Sequence, residues 1–181
     1  MRQFSAIKAI LLLGAALIGS AAEAATQGSV GATSTASINI SLSVAGRVQI
    51  TGLSDVAFAD VKPDVAATAA QNVCVWSNTA TRGYSVTASG SGAGNAFELA
   101  GPSHAAPYTV AWSAASGQTS GTSLRAGATL SGLTSSATSP DCSTGGAAST
   151  SLIVSVDPAT LQAAVPHSTY NGSLSLLVSP E

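Results

Sequence analysis

Across residues 30–44 the even positions are Val30, Ala32, Ser34, Ala36, Ile38, Ile40, Leu42 and Val44, apolar in every case but Ser34. The odd positions are Gly31, Thr33, Thr35, Ser37, Asn39, Ser41 and Ser43. Period two places every apolar side chain on one face of an extended chain, which a helix cannot do. A run of this length extends about 50 Å at ~3.3 Å per residue, more than twice the usual strand. It predicts a strand serving two sheets in succession. The alternative is one long edge strand, which would leave a half-apolar ribbon partly uncovered, an arrangement natural proteins avoid.

Shorter strands are predicted at 47–51, 56–58, 72–77, 84–88, 97–99, 108–112, 151–156 and 173–178, separated by Gly, Pro, Asn and Ser clusters. Short strands at such intervals predict an all-β, antiparallel sandwich. One helical turn is expected over 157–165, with Asp157 as cap, Pro158 at the first helical position and Pro166 as the stop. The low-complexity stretches 89–94, 113–122 and 134–150 read as hairpin loops or flaps, the last tied down at Cys142.

The first 24 residues stand apart from this pattern. Arg2 and Lys8 precede an apolar run at 9–18, and Ala22-Glu23-Ala24 has the A-x-A form of a cleavage site, so residues 1–24 read as a secretory signal peptide cut before Ala25. That apolar run is too short to cross a bilayer of about 30 Å. The expected mature protein is exported, and either soluble or assembled outside the cell. Both cysteines, Cys74 and Cys142, lie in the mature part, and an even count in an exported chain favours a disulfide over a metal site or nucleophile. Closing so long a loop is worth roughly 4 kcal/mol by the chain-entropy estimate.

Only 8% of the residues are charged, against roughly 25% in ordinary soluble domains. Neither a basic nucleic-acid surface nor an acidic disordered tail can be built from so few charges, so no nucleic-acid partner is expected. Catalytic signals are equally thin. His104 and His167 sit in turn-like surroundings far from each other in sequence, no G-x-S-x-G elbow occurs, and Gly90, Gly92 and Gly94 miss the dinucleotide pattern because Asn95 follows. No enzyme activity, metal or other cofactor is expected. Trp76 and Trp112 could be sugar-stacking platforms, but each lies within an apolar strand, and core packing beside the disulfide is the better reading.

The segment NVCVWSNTATRGYSVTASGSG, residues 72–92, resembles the second and third strands of spore-coat-protein-U-type domains and archaic chaperone–usher pilins. Its marks are a strand Cys, a polar turn and Tyr-Ser-Val before a Gly-rich loop. TYNGSLSLLVSPE, residues 169–181, is similar to the terminal strand of the same families, and SINISLSVAGRVQITGL, residues 37–53, matches their N-terminal stretch. Two features depart from the pattern. The first-strand Cys is missing at Val48 and its neighbours, so the bridge must run from Cys74 to Cys142, and no aromatic residue occurs from Leu177 to Glu181.

The resemblance implies an immunoglobulin-like antiparallel β-sandwich that lacks its last strand and is completed by donor-strand exchange. Its hydrophobic groove would be held open for a periplasmic chaperone and then filled by the N-terminal extension of the next subunit. On that reading residues 25–44 are an extension running into the first strand, residues 45–181 are the pilin-like domain, and Val30, Ala32, Ala36, Ile38 and Ile40 fill the neighbour's groove. The chain would be a fimbrial shaft or adaptor subunit. Its partners would be identical or related pilin subunits, the chaperone and an outer-membrane usher. The competing reading is a secreted monomeric β-sandwich that binds carbohydrate or extracellular matrix through its loops.

Overall fold

Among the described residues the chain forms ten strands, one short α-helix and a 3-10 turn at Ala93–Asn95: β1 (Val48–Thr51), β2 (Ala67–Ser77), β3 (Gly83–Gly90), β4 (Glu98–Leu99), β5 (Ala106–Pro107), β6 (Thr109–Ser113), β7 (Thr122–Ser123), β8 (Thr129–Thr134), β9 (Thr150–Val156), α1 (Pro158–Ala163) and β10 (Leu174–Pro180). The computed structural model describes residues 25–143 and 148–181. It divides the chain into two units, Met1–Val44 and Ala45–Glu181. The predicted signal peptide lies outside the described residues.

Within the second unit, β1-β2-β9-β6-β7 form a five-stranded sheet and β10-β3-β8 a three-stranded one, every pairing antiparallel. A two-stranded ribbon of β4 and β5 stands beside them. The protein is an all-β antiparallel sandwich. Its core forms where the period-two faces meet: Val73 and Val75 of β2, Val110 and Trp112 of β6, and Leu152, Val154 and Val156 of β9 pack with Tyr84, Val86 and Ala88 of β3. The Trp112 indole N–H donates to the Tyr84 hydroxyl at 3.1 Å, tying the two sheets through a buried polar contact. Burial pushes the Tyr84 phenol above its ordinary pKa, and the Trp112 bond opposes that in part.

Four sequence expectations meet a different structure. Residues 30–44 belong to no strand, and the first strand is only the four residues of β1. Alternation makes a segment competent to pair, but a strand forms only against a partner edge. Residues 56–58 are likewise irregular. Just before them, the Gln71 side chain accepts from the Ser54 N–H at 2.8 Å and donates to the Ser54 carbonyl at 3.2 Å. The β8 strand was not expected. Leu130 pairs with Val86 and Leu133 with Tyr84, so three positions on β8 match two on β3. That bulge, at Gly132 with φ of 72°, conceals the period of two. The short strands β5 and β7 were also unforeseen, since two residues carry no period.

The long β2 strand changes partner halfway. Its first part, Ala67 to Val73, pairs with β9. Beyond Val73 the loop before β9 takes over, using side-chain hydroxyls where a strand would use backbone. The Val75 N–H donates to Ser149 Oγ at 2.9 Å, and the Val75 carbonyl accepts from the Ser149 hydroxyl at 2.9 Å. The Ser135 hydroxyl donates to the same carbonyl. All three residues are buried. Ser149→Ala would therefore strand a buried amide, and an unpaired buried donor costs about 1–3 kcal/mol. Chemical denaturation should show that loss as a lower midpoint with an unchanged slope.

Candidate functional site

The side of the sandwich bordered by β1 and β10 is incompletely covered. Each strand is the outer member of its sheet and pairs on one edge only, β1 with β2 and β10 with β3. The two strands approach each other across the sandwich. Val48 and Ile50 of β1 and Leu174, Leu176 and Val178 of β10 all pack on the core, yet each remains half-buried. Core valines elsewhere, Val73, Val75, Val86 and Val110, are at most 1% exposed.

Backbone geometry agrees. The Glu181 N–H donates to the Gly83 carbonyl at 3.1 Å, and β10 runs in unbroken register with β3. In an antiparallel ladder the bonding direction alternates. Ser175, Leu177 and Ser179 thus bond to β3, while Leu174, Leu176, Val178 and Pro180 turn their backbone groups to the open edge. Pro180 has no N–H to leave unpaired there, which is where a strand tolerates proline. The same four positions therefore offer half-buried side chains or ring carbons together with unpaired main chain, the two things an added strand uses.

Residues 25–44 carry no charged side chain, and every one of them is exposed. Val30 lies in a series of bends, Ala32 in the same turn, and Ala36 just before Ser37, whereas Ile38 and Ile40 stand in an extended run that continues through Leu42 and Val44. Val48, Ile50, Leu174, Leu176 and Val178, which form this apolar border, were not among the expected site residues. Their signal was the strand patterns at 47–51 and 173–178, legible as strands but silent about which edge stays open.

Cys74 and Cys142 form a disulfide. Both are buried, and with Ala137 they make a second small apolar cluster against which Trp76 packs. Trp112 belongs to the main core. Trp112 is therefore fully buried, while Trp76 is half-buried against the disulfide. His104 sits beside Tyr170, its Nε2 3.4 Å from the Tyr170 hydroxyl and its Nδ1 3.0 Å from Ser103 Oγ, in an exposed position. His167 occupies the turn after α1 with φ of 59°. A hollow of about 350 Å³ is lined by Val61, Lys62, Val65, Ala66 and Ala67 and gathers no set of reactive groups. Among the described residues no three of His, Cys, Asp and Glu are grouped to hold a metal ion.

No protein-family model matches the chain, and no curated protein matches it. Among solved structures it is similar to a chain from a study headed "Chaperone-tip adhesin complex is vital for synergistic activation of CFA/I fimbriae biogenesis", with a TM-score of 0.49 and 13% sequence identity. The match covers 75% of this chain and 41% of that one, so the protein spans about two fifths of the length of that neighbour.

Proposed function

We propose that the protein is a structural fimbrial subunit, of the shaft or an adaptor, that polymerises head to tail by donor-strand complementation. The observation carrying this reading is the open edge of β10, where half-buried apolar side chains coincide with unpaired backbone. An uncharged extension with a period-two apolar face is the complementary part, since a charge would be costly to bury in such a groove. In this role the groove is first occupied by a periplasmic chaperone, exchange takes place at an outer-membrane usher, and the product is an extracellular filament. The disulfide accords with passage through an oxidising compartment. The subunit does no chemistry and needs no cofactor.

Substituting Ile38 or Ile40 by Asp should abolish the ladder of multimers seen when the exported protein is resolved by size under non-dissociating conditions. Either change would put an unpaired carboxylate into the neighbour's groove. A wild-type protein that is exported as a monomer at all concentrations would sink the proposal and leave the carbohydrate- or matrix-binding module as the better reading.

A further inference from the structure

The extension is not one uniform strand. The Thr26 N–H donates to the Ser37 carbonyl at 2.9 Å and the Ser37 N–H to the Thr26 carbonyl at 3.0 Å. These bonds close residues 26–37 into a hairpin whose chain bends at 30–33. Its two arms meet at Gly28, where an added Cβ would force the Ser34 hydroxyl to turn away and would sit 3.2 Å from the Thr35 carbonyl oxygen. Ser34 is also the one polar member of the even-numbered face. Sequence and shape therefore break the apolar stripe at the same residue.

Past Ser37 the chain is extended, and Ile38, Ile40, Leu42 and Val44 are 69%, 86%, 89% and 79% exposed. Four large apolar side chains recur at period two without interruption. The stretch 38–44 has the length of β10, which is seven residues. At its end there is no slack. Only Ala45, Gly46 and Arg47 separate Val44 from β1, and Asn78 clamps them: its Nδ2 donates to the Ala45 carbonyl at 3.0 Å, its Oδ1 accepts from the Arg47 N–H at 2.6 Å, and its own N–H donates to the Arg47 carbonyl at 3.0 Å.

From these features we infer that the strand inserted into the next copy is residues 38–44, with Ile38, Ile40, Leu42 and Val44 filling the groove. The 26–37 hairpin stays folded outside it as the stop that fixes the register. This rests on the donor-strand reading and specifies it. A repetitive apolar strand can slip by two residues without changing which face is buried, and a folded hairpin at one end with a clamped linker at the other removes that freedom. Shifting the inserted segment from 30–40 to 38–44 also shortens the link between subunits by four residues, about 13 Å at ~3.3 Å per residue. The filament joint is correspondingly stiff.

Single Asp substitutions distinguish the registers, read as the multimer ladder of exported protein. Leu42→Asp and Val44→Asp should abolish it. Val30→Asp, Ala32→Asp and the opposite-face control Ser41→Asp should leave it intact. All five positions are exposed in the subunit, so each variant should retain the wild-type melting temperature. Hydrogen exchange on wild-type filaments gives a second readout. The 38–44 amides should slow by at least about a hundredfold on assembly, while those of 27–36 exchange as in the free subunit. Loss of the ladder with Val30→Asp and Ala32→Asp but not Leu42→Asp or Val44→Asp would overturn this register and leave donor-strand assembly standing. A ladder indifferent to all five would overturn both.

Discussion

Fusing a copy of residues 31–44 after Glu181 through a short flexible linker should give a stable monomer. An antiparallel neighbour of β10 begins where β10 ends, so a hairpin connection suffices. The fused segment contains all of residues 38–44 and the other register apart from Val30, which makes this a test of the groove more than of the register. Val48, Ile50, Leu174, Leu176 and Val178 are already fixed in the free subunit. Covering them adds transfer free energy without further ordering of those side chains. Full burial of such a side chain is worth about 1.5–3 kcal/mol, so completing five half-buried ones contributes several kcal/mol. At roughly 2–4 °C per kcal/mol for a domain of this size, the melting temperature should rise on the order of 10 °C and the multimer ladder should vanish. A fusion protein with the wild-type ladder and wild-type melting temperature would mean that the β10 edge accepts no strand.

How far such results could be anticipated from the sequence depended on what each residue's role requires. The sandwich was legible because β3, β6 and β10 alternate core-facing residues with outward ones and β9 is a short apolar run bounded by polar loops, and such patterns are local. The capping of α1 was legible for the same reason: Asp157 accepts from the Thr160 N–H at 2.7 Å, and Pro158 begins the helix. The β8 strand was hidden because its bulge changes Leu130 and Leu133 to a spacing of three. The Ser135 and Ser149 hydroxyls that complete the β2 edge could not be singled out in a chain crowded with serine. Their function comes from proximity to Val75 across a loop. Likewise, the alternation of residues 30–44 announced a strand and an apolar face. It could not say that a hairpin closes around Ser34, since that depends on the contact of Gly28 with Ser34.

Removing the disulfide should be the costliest single alteration to the fold. Cys74 and Cys142 are 68 residues apart in sequence, and the chain-entropy estimate for a loop of that size is roughly 4 kcal/mol. Position adds to length. Cys74 lies beside Val75, where β2 has left β9, and Cys142 lies in the loop that carries Ser135 and Ser149 to that edge. Without the bridge, the loop must be held against Val75 by three hydroxyl contacts alone. The Cys74→Ser, Cys142→Ser double variant avoids a lone reactive thiol, and its melting temperature should fall by about 8–16 °C at 2–4 °C per kcal/mol. Hydrogen exchange supplies the local readout. The Val75 amide should lose more protection than that of Val110, which lies on β6 away from the bridge. An equal loss at both would mean that the disulfide acts through global stability alone. A melting temperature within a degree or two of wild type would show that Ser135 and Ser149 hold the loop without it.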